Sequence, residues 1–377
     1  MNTIGKVFYL LCRFLLSLLA LALIYATAVP LLHSDIWWIR IFDFPRVQIA
    51  TLIALTLVGY LALYYWRRLH LWEYVVVALV GVSLVWQLIA IAPYTVFYPK
   101  EMADSQHDND ANRISLLIYN LRYDNREVEA LRDLIRKKDP DLILLSETTP
   151  WWFEQLQDLE QEYPYKIEQP QRNHYGMLLY SRLALVNPQI RFLVEPEIPS
   201  FRTQVRLRSA DLVTFYGVHP RPPGLKLPED EVEEDGEERA DADMRDAELM
   251  MVAKEVKKLG DVPVIVAGDF NDVAWSHTTH LFQRIGGLLD PRVGRGLLNT
   301  FDTRSRLFRY PLGHAFASQH FFLVELERLP DIGSDHFPLF VVFDLDPSAS
   351  LINEEPQQSA GDEQEADKAT KKGKSID

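Results

Sequence analysis

Three uninterrupted apolar stretches, residues 14–32, 47–66 and 74–92, contain no Asp, Glu, Lys or Arg, and they restrict the fold more than anything else in the 377-residue chain. A helix crosses the hydrocarbon core of a bilayer with roughly 20 apolar residues, and each stretch is close to that length. Helices buried in a soluble core usually keep a polar stripe, which these lack. A secretory signal has a shorter apolar core and leaves the second and third stretches unexplained. The expectation is three transmembrane helices in a membrane region covering 1–98. Trp37, Trp38, Tyr64, Tyr65, Trp66 and Trp72 fall near the span ends, where amphipathic rings favour the lipid interface. Lys6, Arg13, Arg67 and Arg68 lie on one side of this arrangement and Arg40, Arg46 and Lys100 on the other. The small excess on the first side predicts an inside N-terminus. Everything after Ala92 is then periplasmic or otherwise extracytoplasmic, on a multi-pass protein of the inner (cell) membrane.

The rest of the chain is polar enough to be globular. From residue 99 to 112 it carries Asp104, Ser105, Gln106, Asp108, Asn109 and Asp110, which reads as a flexible linker. The run Val262-Pro263-Val264-Ile265-Val266-Ala267-Gly268-Asp269-Phe270-Asn271 then stands out as a short β-branched strand buried on both faces, ending in Gly-Asp-x-Asn. Side chains two apart on an extended chain share a face, so Asp269 and Asn271 are expected to reach one ligand together. Gly, Asp and Asn also favour turns for backbone reasons alone, which is the bland alternative.

Other strands follow the same plan. Residues 114–120 form a strand closing on Asn120, 141–147 one closing on Glu147, and 201–207 with 212–218 a hairpin that runs into His219. Residues 175–181, 321–326 and 337–343 are further strands, with Ile332-Gly333-Ser334-Asp335-His336 before the last. Helices are predicted over 127–138, 151–163, 245–259 and 276–285. Residues 228–243 hold ten acidic side chains against Arg239 alone, too repulsive to pack, and read as a disordered loop. The tail over 347–377 is polar, poor in aromatics, and expected to be disordered. Helices and hairpins are interleaved, so the fold class is α/β, with mixed sheets in a layered sandwich. Cys12 is the only cysteine, which excludes an intramolecular disulfide framework and a thiolate metal site. The net charge of −14 argues against a protein that coats nucleic acid.

Strand ends therefore carry Asn120, Glu147, His219, Asp269 with Asn271, and Asp335 with His336. Carboxylates and carboxamides without thiolates suit a hard cation such as Mg²⁺ or Mn²⁺, and two histidines suit proton transfer or polarisation of a phosphoryl oxygen. The motifs in this order resemble the endonuclease/exonuclease/phosphatase (deoxyribonuclease-I-like) superfamily over 113–346, in the form of a membrane-anchored bacterial member. The resemblance implies a four-layered α/β sandwich and a Mg²⁺-dependent hydrolase of phosphate esters. It also implies Glu147 as principal metal ligand, with Asn120 and Asp335 near the metal. Asp269 and Asn271 would position or deprotonate the attacking water, and His219 and His336 would hold the phosphate. Substrates open at this point are nucleic acid, a lipid headgroup or a small phosphate ester. The lipid bilayer is the other partner, and nothing in the sequence signals a protein partner.

One position departs from the resemblance. The family carries an Asp in a late strand that orients the last histidine, and here Pro311-Leu312-Gly313-His314 puts Gly313 in its place. His314 is a candidate substitute. The alternative to an enzyme is a catalytically degenerate binding module on the same fold. His174, Arg221, His277, His280 and His320 read as structural or surface residues by default, and Asp290 and Asn299 as supporting positions.

Overall fold

The computed structural model describes residues 3–66, 69–106, 110–223 and 241–374. The chain divides into two compact units, Met1–Pro93 and Tyr94–Asp377. The first holds α1 (Thr3–Ala28), the short α2 (Trp37–Arg40), α3 (Arg46–Trp66) and α4 (Leu71–Ile91). Helices α1, α3 and α4 are long and apolar enough to cross a membrane. They pack through Tyr9, Ala20, Leu23, Ile53, Tyr60 and Val80. Leu18, Leu55, Val82 and Ile89 stay exposed on their outer sides. The helices run past the uncharged spans, and two of the charges they gather neutralise each other: Arg13 pairs with Glu73. Gln87 donates to the Thr27 hydroxyl at 3.0 Å. Arg67 and Arg68, on which the orientation leans, lie outside the described residues.

The second unit is a four-layered α/β sandwich. One six-stranded sheet has the order β11 (Phe321–Arg328), β12 (Leu339–Leu345), β1 (Arg113–Asn120), β2 (Leu142–Ser146), β4 (Met177–Ser181), β3 (Tyr165–Gln169). The other runs β5 (Ala184–Phe192), β6 (Pro199–Arg206), β7 (Leu212–Val218), β8 (Val264–Asp269), β10 (Gly313–Ser318), β9 (Leu288–Leu289). Only the β1–β2 and β7–β8 pairings are parallel, so both sheets are mixed. Helices α5 (Val128–Lys138) and α6 (Pro150–Gln155) cover the first sheet, and α7 (Asp243–Leu259), α8 (His277–Gly286) and α9 (Asp362–Lys374) cover the second.

Strand alternation sorts the side chains into these layers. Leu116, Ile118, Leu142 and Leu144 meet Phe215, Ile265, Ala267 and Ala315 between the sheets. Their neighbours Leu117, Tyr119, Ile143 and Leu145 face α5 and α6, and Val264, Val266 and Phe316 face α7 and α8. Continuing the inward parity to the strand ends selects Asn120, Asp269, Gly313 and, one step past β7, His219.

Two expectations are overturned. The segment 99–106 is no flexible tether: Met102 is fully buried, Ala103 and Ser105 bond Leu323 through their backbones, and Asp104 forms a bridge with it. The tail is ordered into α9, where Ala366 enters the core beside α7. Its charges meet complementary ones on α7 and α8: Asp362 with Arg284, Asp367 with Lys254, Glu363 with Lys257, Glu365 with His277. Composition reported a solvated segment correctly but could not report that its charges have partners. The helix expected over 151–163 shortens to α6 followed by a 3₁₀ turn at Gln157–Gln161. Strand β5, unrecognised in the sequence, lies at a sheet edge and is largely exposed, so it carries no apolar alternation. The acidic run lies outside the described residues up to 240; Asp243 opens α7.

Candidate active site

Asn120 ends β1 and Asp269 ends β8, and inward parity brings them together across the gap between the sheets. The Asn120 amide nitrogen donates to Asp269 Oδ2 at 2.9 Å and to Glu147 Oε1 at 2.8 Å. Its carbonyl oxygen accepts the Arg122 N–H at 3.0 Å. Asn120 thus fixes two carboxylates relative to each other, and with both ends engaged it is an orienter of ligands more than a ligand itself. Glu147 stands one residue past β2 with φ of 56°, and Arg122 and Asn271 also have positive φ. Such backbone costs of order 1 kcal/mol or more for these residue types and concentrates where strand ends aim side chains into a site. Gly268 makes the close approach of β8 to β7 possible: a Cβ there would stand 1.9 Å from the Val218 carbonyl oxygen.

Glu147 Oε2 accepts the Tyr123 N–H at 3.2 Å and lies 3.8 Å from His174 Nδ1. Burial opposes ionisation of Glu147. The nearby His174, the hydrogen bond from Asn120 and the neighbouring His336 outweigh it and hold the carboxyl well below the usual carboxylate range. Asp335 behaves oppositely: burial raises its pKa, and the Glu147 charge adds to the rise. His336 Nδ1 lies 3.4 Å from Asp269 Oδ2. Its turn is clamped to β1 by Ser334, whose hydroxyl donates to the Asn120 carbonyl at 2.8 Å and accepts the His336 N–H at 3.1 Å. His219 is buried with its Nδ1 unpartnered, and burial keeps it below the usual imidazole pKa against the pull of Asp269 and Glu147.

Asn271 does not share a face with Asp269 on an extended chain. The backbone turns, the Asn271 N–H donates to Asp269 Oδ1 at 3.1 Å, and its amide nitrogen holds the Pro220 carbonyl at 2.9 Å. The turn reading describes this segment, and the Asn271 side-chain amide is engaged by Pro220. Of the residues singled out in the sequence, Asn120, Glu147, Asp269 and His336 are joined by contacts and Asn271 reaches Asp269 through its backbone N–H, while His219 and Asp335 lie close enough for the Glu147 charge to act on them.

His174, which reads by default as structural in the sequence, stands beside Glu147; its signal is position, two residues before the Gly176 whose missing Cβ admits the Thr148 carbonyl. Arg221 pairs with Glu195. Gly313 sits directly opposite Asp269 in the β8–β10 register, so a glycine does occupy the inward position beside the catalytic candidates. His314 cannot substitute for it, because the next residue faces outward: its Nε2 donates to the Asp272 carbonyl at 2.9 Å and its Nδ1 meets Arg292.

Among the described residues, no group of three or more His, Cys, Asp and Glu side chains stands ready to bind a metal. The donor set nevertheless fits a hard cation. Among the described residues, the ion-pair partners of Glu147 and Asp269 are histidines, with no Lys or Arg. A cation taking one or two protein oxygens and completing its shell with water matches that set.

The unit is a mixed α/β sandwich whose strand ends carry carboxylates, a carboxamide and histidines. The chain belongs to the Endonuclease/Exonuclease/phosphatase family, whose family model matches residues 117–336. No curated protein matches the sequence. Solved structures with a similar fold include an endonuclease/exonuclease/phosphatase family protein from Bacteroides thetaiotaomicron, at 18% identity and TM-score 0.47, covering 62% of this chain and 98% of that one. The human Nocturnin catalytic domain with bound sulfate anion gives 16%, 0.47, 62% and 95%. D. rerio TDP2 complexed with a single-strand DNA product gives 17%, 0.46, 62% and 99%.

Proposed function

We propose that this protein is a membrane-anchored, divalent-metal-dependent phosphoesterase. The observation that carries the reading is the Asn120 amide shared between Glu147 and Asp269, with His336 against Asp269 and His219 buried beside them. Packing alone requires none of this. Glu147 and Asp335 are the residues that would hold Mg²⁺ or Mn²⁺, which when bound supplies Lewis-acid polarisation of the phosphoryl oxygen.

The chain's own residues do the rest. Asp269, oriented by Asn120 and by the Asn271 N–H, accepts a proton from the attacking water as the new P–O bond forms and the ester P–O bond breaks. His336 beside Asp269 donates a hydrogen bond to the phosphoryl group; the departing oxygen takes a proton from solvent water, and Asp269 returns the proton it accepted to solvent. Neutral His219 supplies an N–H donor without adding a fixed charge. The contact between His336 and Asp269 supplies the carboxylate that Gly313 lacks, which favours the enzyme over the degenerate binding module.

Anchorage rests on α1, α3 and α4, with the catalytic unit beginning at Tyr94, directly after α4 ends at Ile91. The inside N-terminus and extracytoplasmic catalytic unit follow from the charge count; a reporter fused after Asp346 and active only outside the cytoplasm supports that orientation. The decisive test of activity is turnover of bis-p-nitrophenyl phosphate, plasmid DNA and phospholipids by the full chain in detergent, with Mg²⁺, Mn²⁺ or EDTA. EDTA-sensitive turnover lost in Glu147→Gln and His336→Asn supports the reading. Absence of turnover under every metal favours the binding module.

A further inference from the structure

Between Phe301 and Tyr310 the chain leaves the catalytic rim in a loop whose base is fixed and whose tip is exposed. At the base, Phe301 and Tyr310 pair through their backbones, and the Phe301 ring stands 4.9 Å from that of His336. Thr303 donates its N–H to the Asp335 carbonyl at 2.9 Å and its hydroxyl to the Ser334 carbonyl at 2.6 Å. At the tip, Leu307 is 66% and Phe308 51% exposed.

Arginines frame this apolar pair. Arg304 is taken up by Asp302 and Asp335. Arg306 is exposed, and among the described residues neither it nor Arg309 has a carboxylate within ion-pair distance. Arg309 and Arg328 both place their guanidinium groups on the ring of Phe337, at 4.9 and 4.3 Å. They are close enough that burial and the Arg309 charge lower the Arg328 pKa. In a chain with net charge −14 this is a local surplus of positive charge beside two exposed apolar side chains.

We infer that the 304–309 loop is a docking surface for an anionic bilayer: Leu307 and Phe308 enter the acyl boundary while Arg306 and Arg309 meet lipid phosphates. Nucleic acid would use the arginines but leaves the aliphatic Leu307 without a role. The chain passes from α4, ending at Ile91, into this unit at Tyr94, and the inference rests on the reading of these helices as membrane-spanning. Because the loop base is bonded to Ser334 and Asp335, docking brings the catalytic rim to headgroup level.

The test uses full-length protein with Cys12→Ser, reconstituted in nanodiscs and carrying one nitroxide at Leu307→Cys, with Phe308→Cys as a second reporter. Leu55→Cys serves as the lipid control and Leu351→Cys as the water control. Accessibility to oxygen and to a water-soluble nickel chelate is then read for each label. In phosphatidylglycerol discs the Leu307 and Phe308 labels are expected to read as lipid-exposed. Phosphatidylcholine, or Arg306→Gln, is expected to lower the lipid-to-water ratio about fivefold. Labels at 307 and 308 that read like Leu351 while Leu55 reads as lipid overturn the inference and leave the membrane anchor standing. Leu55 in water overturns both. Immobilisation of the loop labels by a single-strand oligonucleotide, with no response to phosphatidylglycerol, overturns it in favour of nucleic acid.

Discussion

Two buried groups of charged side chains flank the β8–β10 pair, and they handle charge in opposite ways. On the inward face Glu147 and Asp269 are held by an amide, backbone N–H groups and histidines. On the outward face Arg292 donates to both oxygens of Asp290, to the Gly313 carbonyl at 3.3 Å and to His314. Burial, aided by the Arg292 charge, keeps His314 far below the usual imidazole pKa and therefore neutral. The outward group is electrically closed and can only be structural. The inward group leaves anionic oxygens without a fixed cation, which a metal and a phosphate can complete. Adjacent residues on one strand, Gly313 and His314, thus separate chemistry from architecture by parity alone.

This contrast makes predictions of decreasing size. Glu147→Gln is expected to lower kcat/KM on a chromogenic phosphodiester by roughly 10³-fold or more, with Tm shifted by only a few degrees. A collapse of Tm would put Glu147 with the structural group. Arg292→Met leaves Asp290 buried and unpaired and is expected to cost about 3–5 kcal/mol in denaturant titrations. A loss under 1 kcal/mol breaks the comparison.

Gly313→Asp tests the departure from the family directly. A Cβ at 313 comes within 3.3 Å of the Thr300 side chain, whose hydroxyl oxygen accepts the Leu312 and Gly313 N–H groups. The substitution is expected to destabilise by about 1–3 kcal/mol without raising turnover; faster turnover would mean that His336 still lacks an orienter. The smallest effect concerns Glu101, which accepts the Asp290 N–H at 2.8 Å and is raised to about 7 by burial, with the Asp290 charge adding to it. Its folded-state pKa lies above the unfolded value. Its contribution is therefore complete below about pH 4.5 and is lost as pH rises through 7. Glu101→Gln should flatten that decline and stabilise by about 1 kcal/mol at pH 8, measured as Tm against pH.

The amino-acid sequence determined the apolar helices, because length and absence of charge leave few other solutions for residues 14–32, 47–66 and 74–92. It also determined the order of strand-end residues and their parity, since alternation is a local property: Asn120, Asp269 and His219 all fall on the inward face of their strands. Tertiary structure alone decided which of these groups touch. The sharing of one amide by Glu147 and Asp269, the arrival of His174 at Glu147, and the turn that ties Asn271 to Pro220 depend on how two sheets stack. Composition made 347–377 look solvated, yet α9 packs because Arg284, Lys254 and Lys257 stand opposite its acids. Local pattern reports what a segment prefers; only long-range packing supplies the partner that satisfies it.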